Sequence, residues 1–257
     1  ISDTYLKLHA KWSLQRTVAE LLSKRWMEPA VPFIMMLGVI VFCAVAIPNY
    51  LTLDNLTDTS SQFAEFGFVV LAMTVVLVVG GIDLSVGAIF AMADFIALVL
   101  FNVYELPIGL VVILVLLSGG LLGAINGFLI GYLKLGAFLT TLVTLIIIRA
   151  TFDLTAPTFA IDIATSYNES AAWEFLGEGT LWGIPANVCI LMVIAVIGHA
   201  LLSRSRPGWH IAAIGSNRKA ARHAGIPINR TIFWTYVLSG MLCSLGGLMY
   251  AARLNSS

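Results

Sequence analysis

From residue 30 onward the sequence alternates between long apolar runs and short polar breaks. About 20 consecutive apolar residues are enough to cross a bilayer as a helix. Runs of that kind fall at 30–47, 63–79, 84–101, 107–131, 137–155, 186–202 and 232–253, which predicts about seven membrane spans. The breaks differ in charge. Those at 48–62, 102–106 and 156–185 hold no Lys or Arg, whereas the alternate ones hold Lys134 and, over 204–231, Arg204, Arg206, Arg218, Lys219, Arg222 and Arg230 with no Asp or Glu. Basic residues beside spans stay on the cytoplasmic side, so the N-terminus and the 204–231 loop are expected to be cytoplasmic.

Within that loop, Ser216 and Asn217 offer caps, residues 218–224 are acceptable helix formers, and Gly225 followed by Pro227 stops the helix. Two helical turns are marginal alone in water, so this segment is expected to dock on something. Ala220, Ala221 and Ala224 form a smooth face suited to a partner's groove, and Arg218, Lys219, Arg222 and His223 would contact its rim. Residues 1–28 carry Trp12 and Trp26 among Lys7, Lys11, Arg16, Lys24 and Arg25, the pattern of a basic amphipathic helix on the cytoplasmic membrane surface or of a solvated tail. Residues 29–257 are then the membrane domain.

Three features inside the apolar runs stand out. Gly119, Gly123, Gly127 and Gly131 recur every fourth residue, and Ser239, Cys243 and Gly247 do the same, as small-residue seams between packed membrane helices do. Arg149 and Asp153 are one helical turn apart, close enough to pair. Between the second and third runs, Gly80, Gly81, Asp83, Ser85 and Gly87 mark a turn at membrane depth. Gly81 would supply its special backbone conformation, and Asp83 or Ser85 would cap the helix that follows. Asn126, Thr140, Thr141, Thr144 and Tyr236 are in-span polar groups that could line a translocation path or merely pack.

The composition agrees with a membrane protein: 257 residues, 59% hydrophobic, 11% charged, and mean hydropathy +0.95. Cys43, Cys189 and Cys243 lie in apolar runs without metal-site or disulfide spacing, so no metal is expected, and no cleavable leader is recognisable. No G-x-x-x-x-G-K-[ST] loop is present, so the chain lacks that means of hydrolysing ATP. An intramembrane enzyme would need a nucleophile facing a base, but G-x-S-x-G is absent and His199 is the one in-span histidine. An ion-coupled secondary transporter using Asp83, Asp94 or Asp153 is the alternative transport reading. The Gly177, Gly179 and Gly183 spacing is a poor dinucleotide match and reads as an outer turn.

Three stretches together resemble the permease subunits of ribose/galactose-type bacterial ABC sugar importers. They are GGIDLSVGAIFAMA at 80–93, NGFLIGYLKLGAFLTTLVTLIIIRA at 126–150, and the segment from AIGSNRKAARHAGI at 213–226 to the chain end. The resemblance implies an all-α polytopic protein of the bacterial inner membrane that has no catalytic site or cofactor of its own. It implies a monosaccharide or related polyol as cargo, a second permease subunit, a periplasmic sugar-binding protein, and a cytoplasmic ATPase that holds ATP and Mg. Ser216–Gly225 would be the helix coupled to that ATPase. Ser216 stands where a glycine is usual, and Asp94 where a small residue is common. About ten spans would be expected, so a further C-terminal part beyond Ser257 is anticipated.

Overall fold

The computed structural model describes residues 27–166, 168 and 170–256, so the amphipathic segment over 1–28 lies, except for its last two residues, outside the described residues. The chain divides into a unit over 1–56 and a larger one over 57–257. In the first, α1 (Met27–Ala46) is apolar from Ala30 onward. It ends in a turn where Asn49 adopts φ 62° and the Thr52 hydroxyl donates to the Asn49 carbonyl at 2.8 Å.

The other helices are α2 (Leu53–Val78), α3 (Val86–Leu98) continuing into a π-helical turn (Val99–Val103), α4 (Ile108–Gly131), α5 (Ala137–Thr165), α6 (Ala171–Gly177), α7 (Ala186–Arg204), α8 (Arg206–Ser216), α9 (Arg218–His223) and α10 (Ile228–Ser256). Among the described residues six stretches are long and apolar enough to cross a membrane, and Ala30–Ala46 is a shorter apolar helix, so every run read from the sequence is a helix. The fifth run extends further than expected. α5 continues through Pro157 to Thr165, and the rest of the 156–185 connection forms α6 and a two-stranded hairpin, β1 (Thr180–Leu181) with β2 (Ile184–Pro185). The hairpin turns on Trp182 and Gly183, both at positive φ, as a tight two-residue loop requires, so of the three spaced glycines Gly183 is in a turn while Gly177 is the last residue of α6.

Helix α10 is the organising element of the larger unit, because small residues let two neighbours approach its backbone on separate faces. A Cβ on Gly119 would strike the Gly240 carbonyl, one on Gly123 the Tyr236 carbonyl, and one on Gly127 or Gly131 the carbonyls of Phe233 (2.6 Å) or Asn229 (2.8 Å). The partners fall by three or four residues at each step, so α4 and α10 run antiparallel along the seam read from the sequence. On another face Gly247 abuts the Phe90 carbonyl and the Asp94 amide of α3, and Cys243 is fully buried.

Two apolar cores lie far apart along α10. One contains Ile228, Ile232 and Tyr236, and the other Leu248, Ala251 and Ala252. From Ile232 to Ala251 a helix rises about 28 Å, close to the thickness of a hydrocarbon core. The first core includes residues of α8 and α9, the basic end; the second includes Phe101 stacked on Trp173 at 4.0 Å, at the end free of Lys and Arg connections.

Candidate functional site

The turn between α2 and α3 is held by a buried chain of polar groups drawn from four segments. The Asp83 Oδ1 atom accepts from the Ser85 amide at 2.9 Å and from the Ser85 hydroxyl at 2.6 Å. That hydroxyl in turn accepts from Asn126 Nδ2 at 2.9 Å, and Asn126 Oδ1 accepts from the Thr144 hydroxyl at 2.6 Å. The Leu84 amide donates to the Thr141 hydroxyl at 3.1 Å, and Ser239 of α10 reaches Asp83 Oδ2 at 3.5 Å. Asp83 is 1% exposed, and Ser85, Asn126 and Thr141 are 0%. Backbone that departs from a helix beside apolar spans needs its polar groups met within the protein, and these side chains meet them.

Expectation and observation differ in detail here. Asp83 accepts from the Ser85 amide, one residue before α3, so it closes the turn and caps no amide of the helix itself; Ser85 makes no side-chain cap either and instead bridges Asp83 to Asn126. The left-handed residue is Gly80 (φ 83°), not Gly81. Gly81 is a glycine for lack of room, since a Cβ there would lie 2.7 Å from the Tyr236 hydroxyl and 3.1 Å from Val76 Cγ1. Gly87 sits in the first turn of α3 with open space around it, so packing does not explain it.

Of the polar residues proposed for a path, Asn126, Thr141 and Thr144 converge on this turn, where they bond one another and the backbone, and Thr144 with Thr140 also lines a cavity of about 470 Å³ between α4 and α5. Thr140 bonds the Gly136 carbonyl of its own helix at 2.9 Å. The Tyr236 hydroxyl is buried beside Gly81 without a hydrogen-bond partner.

The basic loop is two helices rather than one. Helix α8 was not anticipated, although its start is marked in the sequence: Ser205 accepts from the Gly208 amide at 3.2 Å and Pro207 occupies the first turn. Its Ile211 and Ile214, three apart, enter the core with Val75, Val76 and Val79. Gly215 brings the α8 backbone against the Val78 carbonyl and Gly80. Helix α9 follows as read: Asn217 Oδ1 accepts from the Lys219 and Ala220 amides, both at 3.0 Å, and Gly225 ends it at φ 77°.

The alanine face needs correction. Ala221 is 4% exposed and belongs to the same core as Val79, Ile130 and Ile228, so it fastens α9 to its own spans and cannot enter a partner's groove. Ala220, Ala224, Arg218, Lys219, Arg222 and His223 remain on the surface.

Among the other charged groups, Arg149 and Asp153 pair at 3.2 Å on an exposed face of α5, as their spacing implied. A second pair was missed. Glu65 of α2, 0% exposed, accepts two hydrogen bonds from Arg253 of α10, at 2.6 and 3.1 Å. The partners are 188 residues apart, and no local spacing could reveal them. Asp94 has one buried carboxylate oxygen without a hydrogen-bond partner among the described residues. Among the described residues no cluster of His, Cys, Asp and Glu could hold a metal.

Comparison with known proteins gives consistent matches. Residues 55–257 match the family described as branched-chain amino acid transport system / permease component. The chain is 32% identical over 226 residues to the ribose import permease protein RbsC of Haemophilus influenzae, covering 88% of this chain and 69% of that protein. It is 33% identical over 217 residues to the L-arabinose transport system permease protein AraH of Escherichia coli (84% and 64%), and 31% over 233 residues to the D-allose transport system permease protein AlsC of Escherichia coli (90% and 70%). No solved structure gives a significant match.

Proposed function

The chain belongs to the branched-chain amino acid transport system / permease component family, and from that membership we propose that it is the membrane-spanning subunit of an ATP-driven importer for a monosaccharide or related polyol. The relatives are named for ribose, L-arabinose and D-allose, which favours a neutral sugar over an amino acid. On this reading the subunit has no ATPase site. ATP and Mg are held by a cytoplasmic partner, the solute arrives from a periplasmic sugar-binding protein, and a second permease subunit completes the path.

The observation that carries the reading is the seating of α8 and α9 on the membrane turn. Gly215 touches Gly80, Ala221 joins the core beneath, and the cationic residues of α9 face outward. A partner that pushes on α9 therefore pushes on the Asp83 turn. Since the alanine anchor is used internally, the partner is met by Arg218, Lys219, Arg222 and His223, a charged contact that needs an acidic complement.

Reconstitution with the cognate ATPase and binding protein tests this. Sugar uptake is expected to require ATP and to survive collapse of the ion gradients. Lys219→Glu with Arg222→Glu is expected to weaken co-purification with the ATPase at least ten-fold at low salt, with thermal stability unchanged. Unaltered assembly would remove α9 from the coupling role. The unpartnered Asp94 oxygen keeps an ion-coupled carrier as the second reading. Uptake that needs an ion gradient and ignores the ATPase would establish that carrier instead.

Orientation has its own test. Trp182 is fully exposed at the hairpin tip and Ser216 is exposed at the end of α8. Trp182→Cys is expected to react with an impermeant maleimide on intact cells, and Ser216→Cys only after permeabilisation. The opposite pattern would invert the topology.

A further inference from the structure

We infer that the protein carries a built site for one anionic phospholipid, formed where α7 gives way to α8 and closed by the start of α10. Two adjoining cavities make it. The first, about 410 Å³, is lined by Arg206, His210, Arg230, Thr231 and Trp234. The second, about 390 Å³, is an almost wholly apolar groove between α2, α7 and α10. Pro207, Ile211 and Leu238 line both, so the chamber that carries the arginines adjoins the apolar groove.

The chemistry changes along this path as it does along a lipid. Two arginines supply fixed positive charge, and the first turns of α8 and α10, the positive ends of two helix dipoles, line the same chamber. Among the described residues no acidic residue lines either cavity. Trp234 is 56% exposed at the chamber, a position where an indole suits the headgroup layer. Beyond it the groove follows α7 from Leu202 to Ile194, a rise of about 12 Å, enough to seat part of an acyl chain.

A free anion would use only the chamber, and a neutral lipid only the groove; an anionic phospholipid uses both. Basic recesses between membrane helices are suited to such headgroups. The site also places a lipid against α8, the helix seated on the Asp83 turn, so bound lipid would stiffen the basic end whatever solute is carried.

The test is native mass spectrometry of the full chain in mild detergent, titrated with dioleoyl phosphatidylglycerol or dioleoyl phosphatidylcholine. One molecule of phosphatidylglycerol is expected to be retained in preference to phosphatidylcholine. Arg206→Gln with Arg230→Gln should reduce that preference about 30-fold, roughly five-fold for each arginine, while Arg206→Lys with Arg230→Lys preserves it. Gly198 lines the groove and has open space around it, so Gly198→Leu should fill the groove and lower phosphatidylglycerol retention without touching either arginine. Thermal unfolding in lipid-free detergent checks that each variant is folded.

Three results would overturn the assignment: a preference that survives the glutamines, wild-type retention in Gly198→Leu, or full displacement of the lipid by glycerol 3-phosphate at equal concentration. Loss of ATPase co-purification in the glutamine variant, with lipid binding intact, would assign the two arginines to the protein partner.

Discussion

Gly123→Ala is expected to yield almost no folded protein, although it adds one methyl group and raises helix propensity. The added Cβ would lie on the Tyr236 carbonyl, a backbone atom that cannot rotate away. Relief requires α4 and α10 to separate, and that loosens the contacts at Gly119, Gly127 and Gly131 together. Overpacking a tight interior costs about 1–3 kcal/mol when side chains can adjust, and this site is expected to exceed that range. Gly120 is the control. It adjoins the seam on the same helix, but its nearest neighbour is the flexible Met241 side chain at 3.2 Å. Gly120→Ala should fold at near wild-type yield by size-exclusion chromatography and unfold within a few degrees of it. Equal yields for the two variants would show that the close approach of α4 and α10 does not govern folding.

That seam was legible because its period, one glycine per helical turn, is a local property of the sequence. The spans were legible for the same reason: length and apolarity are read one segment at a time. What escaped depended on which helices meet. Glu65 is an isolated acid in an apolar run until α10 brings Arg253 to it. Asn126 and Thr144 sit on different helices, so each looked like a lone polar group that could as well line a path as pack. Ala221 was assigned to a partner because helical spacing shows which residues share a face but not what that face meets. The core of α8, α10 and the end of α2 meets it first. Helix α8 is a different kind of miss. Its capping Ser205 and following Pro207 are local signals of a helix start, set within a stretch whose dominant feature is its charge.

Asp83 separates a structural pin from a participant in transport. Its Oδ1 atom holds the Ser85 amide and hydroxyl, and through Ser85 it orients Asn126 and Thr144. Asp83→Ala removes the acceptor of the Ser85 amide, a hydrogen bond worth about 1 kcal/mol. It also strips a buried hydroxyl of its acceptor, which costs about 1–3 kcal/mol more. A total loss of about 2–4 kcal/mol is therefore expected, read as a lower unfolding temperature in detergent. Asp83→Asn keeps a carbonyl oxygen that can accept from the same amide and hydroxyl, so most of that stability should return. If the residue serves as a pin, uptake by Asp83→Asn in proteoliposomes with the ATPase should stay within a few-fold of wild type, and Asp83→Ala should lose uptake in proportion to lost protein. If the carboxylate itself takes part, as an ion-coupled carrier would require, Asp83→Asn will be stable and inactive. A stable, active Asp83→Ala would contradict both, and would leave the hydrogen bond from Leu84 to Thr141 and the fit of α8 against Gly80 to support the turn.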